Sequence, residues 1–142
     1  FHNDGNNPAT VEGMNVLGPQ ADHAIAAFMD DLEDRGLTDK VLLLVTGEMG
    51  RSPKKQGNGG TGHWGRLTPL LVAGGGLKMG QVIGKTDRNG GEATTKQYLP
   101  QHLLATILQT VFDPGEARLD SSIPTDLARL MTVGEPIREL FA

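Results

Sequence analysis

A run of seven residues, Lys40-Val-Leu-Leu-Leu-Val-Thr46, constrains the fold of this 142-residue chain more than any other feature. The five residues between Lys40 and Thr46 are all apolar, and β-branched residues stand near both ends of the run. The run is too short for a helix that stands alone. A strand of this kind is usually buried on both faces, as in a parallel sheet that carries helices on either side. The run therefore predicts a buried strand of an α/β domain.

The segments around this strand predict an alternation of helices and strands. Before it, Pro19 begins a predicted helix that runs to about Arg35 and ends at Gly36, where a C-cap glycine is expected. After it, the pattern predicts strands over 67–73 and 81–83, helices over 99–112 and 123–131, and a small strand or docked extension over 135–140. This order predicts an α/β fold with a mostly parallel sheet flanked by helices. Because two or three strands make a poor sheet alone, we expect the rest of the sheet upstream of residue 1.

Composition narrows the chemistry. The chain has no cysteine, which excludes disulfides, thiolate metal ligands and a cysteine nucleophile. Its net charge is -4, and its basic residues are scattered apart from Arg51, Lys54 and Lys55, so nucleic acid is not expected as a partner. No apolar stretch approaches the roughly 20 residues of a membrane-spanning helix. Histidines, carboxylates and hydroxyls are left to carry any reaction.

The segment Thr46-Gly-Glu-Met-Gly-Arg-Ser-Pro53 directly follows the predicted buried strand. In open α/β sheets, ligands bind outside the carboxyl ends of the strands, which is where Glu48 falls. Arg51 offers a planar guanidinium that suits the oxygens of phosphate or sulfate. The segment is a candidate for a catalytic or metal-binding site, and the alternative is a strand-end loop whose Glu and Arg pair at the surface.

A second candidate is the segment Gly57-Asn-Gly-Gly-Thr-Gly-His-Trp-Gly65. His63 has so many glycine neighbours that they supply no apolar face, so it does not read as a core histidine. Neutral imidazole is the commonest protein metal ligand, and we expect His63 to act as one. Trp64 is expected to anchor the loop by burying its ring. The alternative is a flexible surface loop with an incidental histidine.

Three further histidines have weaker signals. His2 lies two residues before Asp4, and in an extended segment their side chains point the same way. His23 is interpreted as a surface or structural residue of the first helix. His102 is interpreted as a capping or packing residue near the start of the later helix.

Four motifs taken in order resemble an uncharacterised bacterial family. They are HNDGNN at residues 2–7, TGEMGRSP at 46–53, GGTGHWG at 59–65 and TPLLVAGGGLKMGQVIGKTD at 68–87. Members of that family are often described as sulfatases and assigned to the alkaline phosphatase-like superfamily. The resemblance runs from His2 to the tail GEPIRELF. It implies that residues 1–142 are the C-terminal portion of a single alkaline phosphatase-like domain whose N-terminal part is absent from this sequence.

The resemblance also implies a divalent metal site, with Zn expected and Ca or Mn as variants. His2 matches the first histidine of the superfamily pattern, and His63 matches the later one. Glu48 occupies the position of a carboxylate ligand, but Met49 follows it where the pattern has a histidine. The nucleophile of the superfamily has no counterpart in these residues.

Two functions follow from these expectations. The first is a metal-dependent hydrolase of phosphate or sulfate esters, with His2, Glu48 and His63 as metal ligands and Arg51 as a catalytic contact to the oxyanion. The second is a non-catalytic module with a degenerate metal site that recognises an anionic glycan or surface polymer. The expected ligand is a small-molecule or glycan oxyanion ester. Resemblance to exported family members implies a periplasmic or cell-surface protein.

Overall fold

The computed structural model describes residues 10–55, 57 and 60–141, with side chains from residue 14 onward. The described elements follow the chain in this order: α1 (Thr10–Asp34), β1 (Leu42–Thr46), β2 (Gly50–Lys55), β3 (Thr61–Trp64), β4 (Leu70–Gly74), α2 (Pro100–Val111), α3 (Pro114–Leu119), α4 (Thr125–Val133) and a short 3-10 helix (Arg138–Leu140). In this part of the chain, no helix is long and apolar enough to cross a membrane.

The four strands form two antiparallel pairs. β1 pairs with β4, from Leu42 opposite Gly74 to Thr46 opposite Leu70, and β2 pairs with β3. Because β2 and β3 lie between β1 and β4 in sequence, the β2–β3 hairpin continues from one end of the β1–β4 pair. The predicted α/β fold with a mostly parallel sheet, and with it the alkaline phosphatase/sulfatase-like sandwich, is therefore wrong. The described structure is a small α+β arrangement with two-stranded antiparallel sheets.

The error has a physical cause in the apolar run itself. A continuously apolar strand indicates apolar surroundings on both faces, but it does not fix the direction of the neighbouring strand. Here β1 pairs with β4, which is equally apolar, so both faces of the pair are apolar. Val45 and Leu71 lie directly opposite each other, and each is 40% exposed. The expectation that β1 is fully buried is also wrong.

Helix α1 begins nine residues before the predicted start, because Pro19 lies inside it rather than in its first turn. Proline removes one helical hydrogen bond but does not always end the helix. The predicted end is confirmed. Gly36 adopts a φ of 64°, its N–H donates to the Glu33 carbonyl, and the Leu37 N–H donates to the Leu32 carbonyl. These two bonds form a Schellman motif, which requires the left-handed conformation that glycine tolerates. Leu32 is buried.

The three C-terminal helices enclose a small apolar core of Leu108, Ala117 and Met131. Thr106 is buried with them, and its hydroxyl accepts a hydrogen bond from the Ile137 N–H at 2.8 Å. Helices α2 and α4 confirm two predicted helices to within two residues at each end. Helix α3 was not predicted.

The C-terminal tail docks onto the segment before α2. The Lys78 N–H donates to the Leu140 carbonyl at 2.7 Å, and the Gln81 amide donates to the Glu139 carbonyl at 2.6 Å. The tail is thus the expected docked extension, containing a 3-10 helix rather than a strand. The strand predicted over 81–83 is wrong: the segment forms no strand pairing, and Val82 is 95% exposed.

A tyrosine–carboxylate pair reinforces this docking. The Tyr98 hydroxyl donates to Glu139 Oε2 at 2.5 Å. This hydrogen bond, together with burial and the negative charge of Glu139, raises the pKa of Tyr98 to about 12. The same bond lowers the pKa of the Glu139 carboxyl below its usual value. The tail is therefore attached by a hydrogen-bonded pair in which the pKa of Tyr98 is raised and that of Glu139 is lowered.

Candidate functional site

Glu48 lies at the break between the two antiparallel pairs. β1 ends at Thr46, whose hydroxyl donates to the Pro69 carbonyl at 3.1 Å, and β2 begins at Gly50. A Cβ on Gly50 would lie 1.8 Å from the Leu67 carbonyl oxygen, so only glycine permits this approach of the two chain segments. The chain is closely packed at Gly50, after Glu48, whereas Thr46, Gly47 and Glu48 are exposed.

Arg51 and His63 are directly paired across the β2–β3 hairpin. Directly opposite residues of an antiparallel pair project from the same face, with Cβ atoms about 5 Å apart. The His63 side chain is exposed and that of Arg51 is half-buried. The hairpin therefore brings the Glu48–Arg51 segment and the glycine-rich segment of His63 together, as a shared site requires.

The ladder of the hairpin is interrupted directly after this pair. Arg51 pairs with His63 and Lys55 pairs with Thr61, so three residues of β2 oppose one residue of β3. The Ser52 hydroxyl closes this bulge, since it accepts from the Lys54 N–H and also lies within hydrogen-bonding distance of the Lys54 carbonyl. Pro53 has no N–H to contribute to the ladder, which suits a bulge.

Trp64 fixes the hairpin to a later turn of the chain. Its indole N–H donates to the Gly91 carbonyl at 2.9 Å, and the ring is half-buried. Next to it, the Arg66 guanidinium lies over the indole ring, 5.7 Å from its centroid, and pairs with Glu92. The expectation that Trp64 anchors this loop is confirmed.

The turn that receives Trp64 is held by its own carboxylate. Asp87 accepts hydrogen bonds from the Gly91 and Glu92 N–H groups, and the bridge between Thr86 and Ala93 closes the turn. The hairpin is therefore hydrogen-bonded to a turn that has its own internal hydrogen bonds, so the position of β3 does not depend on β2 alone.

The two faces of the hairpin differ. Since side chains alternate along a strand, Trp64 projects from the face opposite His63. A cleft of about 330 Å³ adjoins the indole ring. It is lined by Ser52, Pro53, Lys54, Trp64, Asp87, Asn89, Gly91 and Glu92. Arg51 and His63 do not line this cleft, so the candidate site and the cleft are separate surfaces.

The remaining histidines have clear outcomes. The predicted metal ligand His2 lies outside the described residues. His23 is exposed on α1, as expected of a surface residue. His102 Nδ1 accepts the Leu99 N–H at 2.9 Å and so caps α2, which confirms its interpretation as a capping residue.

The candidate site offers the imidazole of His63 and the guanidinium of Arg51 on one face of the hairpin, and the carboxylate of Glu48 on the chain just before β2. Imidazole and carboxylate are ligands for Zn and similar divalent cations, and a guanidinium suits an oxyanion. Within residues 14–55, 57 and 60–141, no cluster of three or more histidine and carboxylate side chains is placed to hold a metal ion. The described residues alone therefore do not form a metal site, and the metal ligation expected of Glu48 and His63 stays a prediction.

Sequence reasoning missed the hairpin that creates this site. The glycines and the proline of these segments predict loops over residues 50–55 and 61–64. One available signal was the alternation of Thr61, Gly62, His63 and Trp64, where β-branched and aromatic residues favour a strand. The pairing of Lys55 with Thr61 had no signal, because the bulge that determines it cannot be read from residue types.

Residues 2–118 match the model of a family described as "Protein of unknown function (DUF1501)". A comparison with curated proteins finds no match, and a comparison with solved structures finds none either.

Proposed function

Since the chain belongs to the DUF1501 family, whose function is unknown, we propose an activity from its own residues. In this proposal, the chain carries part of the site of a metal-dependent hydrolase that cleaves phosphate or sulfate esters. This proposal includes the resemblance to the alkaline phosphatase-like superfamily, on the strength of shared site residues and not of a shared sheet.

The pairing of Arg51 with His63 supports the proposal most directly. Two segments that each carry a candidate residue are twelve positions apart in sequence, and the hairpin aligns them. Glu48 precedes β2 by two residues, so it lies on the chain just before the hairpin.

The residues divide the chemistry between them. Glu48 and His63 would hold the metal together with His2, which the resemblance adds. A bound divalent cation would act as a Lewis acid on an ester oxygen. Arg51 binds the non-bridging oxygens through its guanidinium and neutralises the charge that develops on them. The nucleophile is not among the residues that we assign.

A second candidate function is a binding module that retains the anion contacts but has lost turnover. Met49 favours it, because it stands where the resemblance places a histidine ligand. In this alternative, Arg51 and His63 recognise an anionic glycan or surface polymer without cleaving it.

Metal analysis and ester hydrolysis together test the proposal. We expect the purified protein to contain a divalent metal and His63→Ala to lose most of it. The control is His23→Ala, which removes an exposed histidine on α1 and should keep the metal. Equal metal content in all three proteins would contradict the assignment.

Activity is measured with 4-nitrophenyl phosphate and 4-nitrophenyl sulfate, each with and without a chelator. Hydrolysis of either ester that the chelator abolishes supports the hydrolase. Metal binding without hydrolysis of either ester supports the binding module.

A further inference from the structure

Lys55 shares a face of the hairpin with the Arg51–His63 pair. It is paired with Thr61, and Thr61 lies two residues before His63 on β3. Because side chains two apart on a strand project from the same face, Lys55, Thr61, Arg51 and His63 all belong to one face. We name these four residues the basic face.

The bulge in β2 places a lysine in this position. Without it, Pro53 would fall opposite Thr61, since Arg51 already pairs with His63. The two extra residues, closed by the Ser52 hydroxyl, shift the register so that Lys55 occupies that position. Bulges of this kind re-aim side chains and are common beside active sites.

Lys55 has an exposed side chain, and among the described residues no carboxylate lies within ion-pair distance of it. Two other cations near the hairpin differ from Lys55. Arg66 pairs with Glu92, and Lys54 lines the cleft on the opposite face. In a chain of net charge -4, the basic face carries the two cationic side chains of Arg51 and Lys55.

We infer that Lys55 binds a second anionic group of the substrate, so that the proposed ester site takes esters with at least two anionic groups. The inference rests on the proposed function. The Lys55–Thr61 and Arg51–His63 pairs are two positions apart along β3. Two positions along a strand place the two anionic groups roughly 7 Å apart. Sugars that carry two phosphate or two sulfate groups have this chemistry.

The neighbouring lysine provides a matched control. Lys54 has the same charge and the same exposed class, and it differs from Lys55 by one position. Because it lines the cleft on the Trp64 side, it is not part of the basic face. If the effect were one of overall charge, both substitutions would weaken binding of a second anionic group equally. If Lys55 binds that group at a defined position, only its own substitution weakens the binding.

The test compares binding of singly and doubly charged sugars to the metal-loaded protein by calorimetry. The phosphate arm uses glucose 6-phosphate and glucose 1,6-bisphosphate, and the sulfate arm uses glucose 6-sulfate and glucose 3,6-disulfate. We expect the wild type to bind the doubly substituted sugar more tightly in at least one arm, by about 3- to 10-fold for one exposed ion pair. The preference should decrease as salt is added.

Lys55→Ala should remove this preference and leave binding of the singly substituted sugar unchanged, while Lys54→Ala should retain it. Equal loss in both variants, or a Lys55→Ala effect on both classes of sugar, overturns the inference and leaves the proposed function intact. If the wild type binds singly substituted sugars and shows no preference for a second anionic group, the inference is likewise overturned and the proposed function is left intact. No binding of any sugar by metal-loaded wild type overturns the inference, and the hydrolysis of the aryl esters then decides the proposed function separately.

Discussion

Arg51 and His63 lie directly opposite each other on β2 and β3, although they are twelve positions apart in the chain. The pair therefore depends on the register of one short hairpin. Gly50 fixes one end of this register against Leu67, and Trp64 fixes the other strand to Gly91. Changes at these anchors should alter the site without touching either of its polar side chains.

Arg51→Lys separates charge from geometry at the oxyanion contact. Lysine keeps the positive charge but lacks the planar fork that binds two oxygens at once. We expect kcat/KM for the better aryl ester to decrease by about 10- to 100-fold, with unchanged metal content. The matched control is Arg35→Lys on α1, where arginine forms only a surface ion pair with Asp31. A full-rate Arg51→Lys enzyme would remove Arg51 from the catalytic residues.

Glu48→Gln tests the carboxylate as a metal ligand. The amide has nearly the same shape but no negative charge, so metal affinity should decrease by roughly 10-fold or more. Titration with Zn and detection of the free ion measure this affinity. Glu33→Gln, an exposed change on α1, should bind metal as the wild type does. If Glu48→Gln also binds like the wild type, the carboxylate is not a ligand.

Gly50→Ala should destabilise the protein. The added Cβ would meet the Leu67 carbonyl oxygen at 1.8 Å, which forces the backbone apart and costs about 1–3 kcal/mol or more in the free energy of unfolding. Urea denaturation measures this change. At Gly65 a Cβ would meet no atom within 4 Å, so Gly65→Ala should change stability by less than about 1 kcal/mol. Similar stabilities of the two variants would argue against close packing at Gly50.

Trp64→Phe should loosen the hairpin while keeping an aromatic ring in place. The indole N–H to Gly91 is lost, and the Gly91 carbonyl loses its partner, at a cost of about 1–3 kcal/mol. Amide hydrogen exchange of β3 should become faster. Arg66→Met removes an exposed ion pair with Glu92 and should cost less, about 0–1 kcal/mol. Unchanged exchange in Trp64→Phe would show that the indole N–H does not anchor β3.

The Tyr98–Glu139 pair predicts two limits to the docking of the C-terminal tail. The Glu139 pKa is lowered from 4.5 in the folded state, so its stabilisation is present above about pH 4.5 and is lost as pH decreases below that value. The Tyr98 pKa is raised from 10.0 to about 12, so its stabilisation is present below pH 10 and is lost between 10 and 12. Urea midpoints measured across pH should show both limits. Tyr98→Phe should weaken both, since it removes the shared hydrogen bond.

The sequence allowed most helices and the two apolar strands to be predicted, because each has a local signal. The periodicity of α2, the glycine after α1 and the apolar run of β1 all act within a few residues. The pairing of strands could not be predicted in the same way. The direction of β4 relative to β1 depends on how the chain between them folds, and that chain was interpreted as loop.

The sequence allowed the residues of the candidate site to be predicted, but not how they are arranged in space. Glu48, Arg51 and His63 were identified from their neighbours, and the structure brings the segments of all three together through the hairpin. The contribution of Lys55 depended on a bulge, and bulges follow from contacts between strands rather than from either strand alone.

The bulge also restricts how this hairpin can change length during evolution. Side chains alternate with a period of two, so inserting or deleting one residue between Arg51 and Lys55 would exchange the faces of the two adjacent lysines. A change of two residues preserves the faces but selects a different residue to oppose Thr61. An insertion of one residue would therefore keep a cation beside the Arg51–His63 pair, because Lys54 would take the place of Lys55, whereas an insertion of two would place Pro53 opposite Thr61.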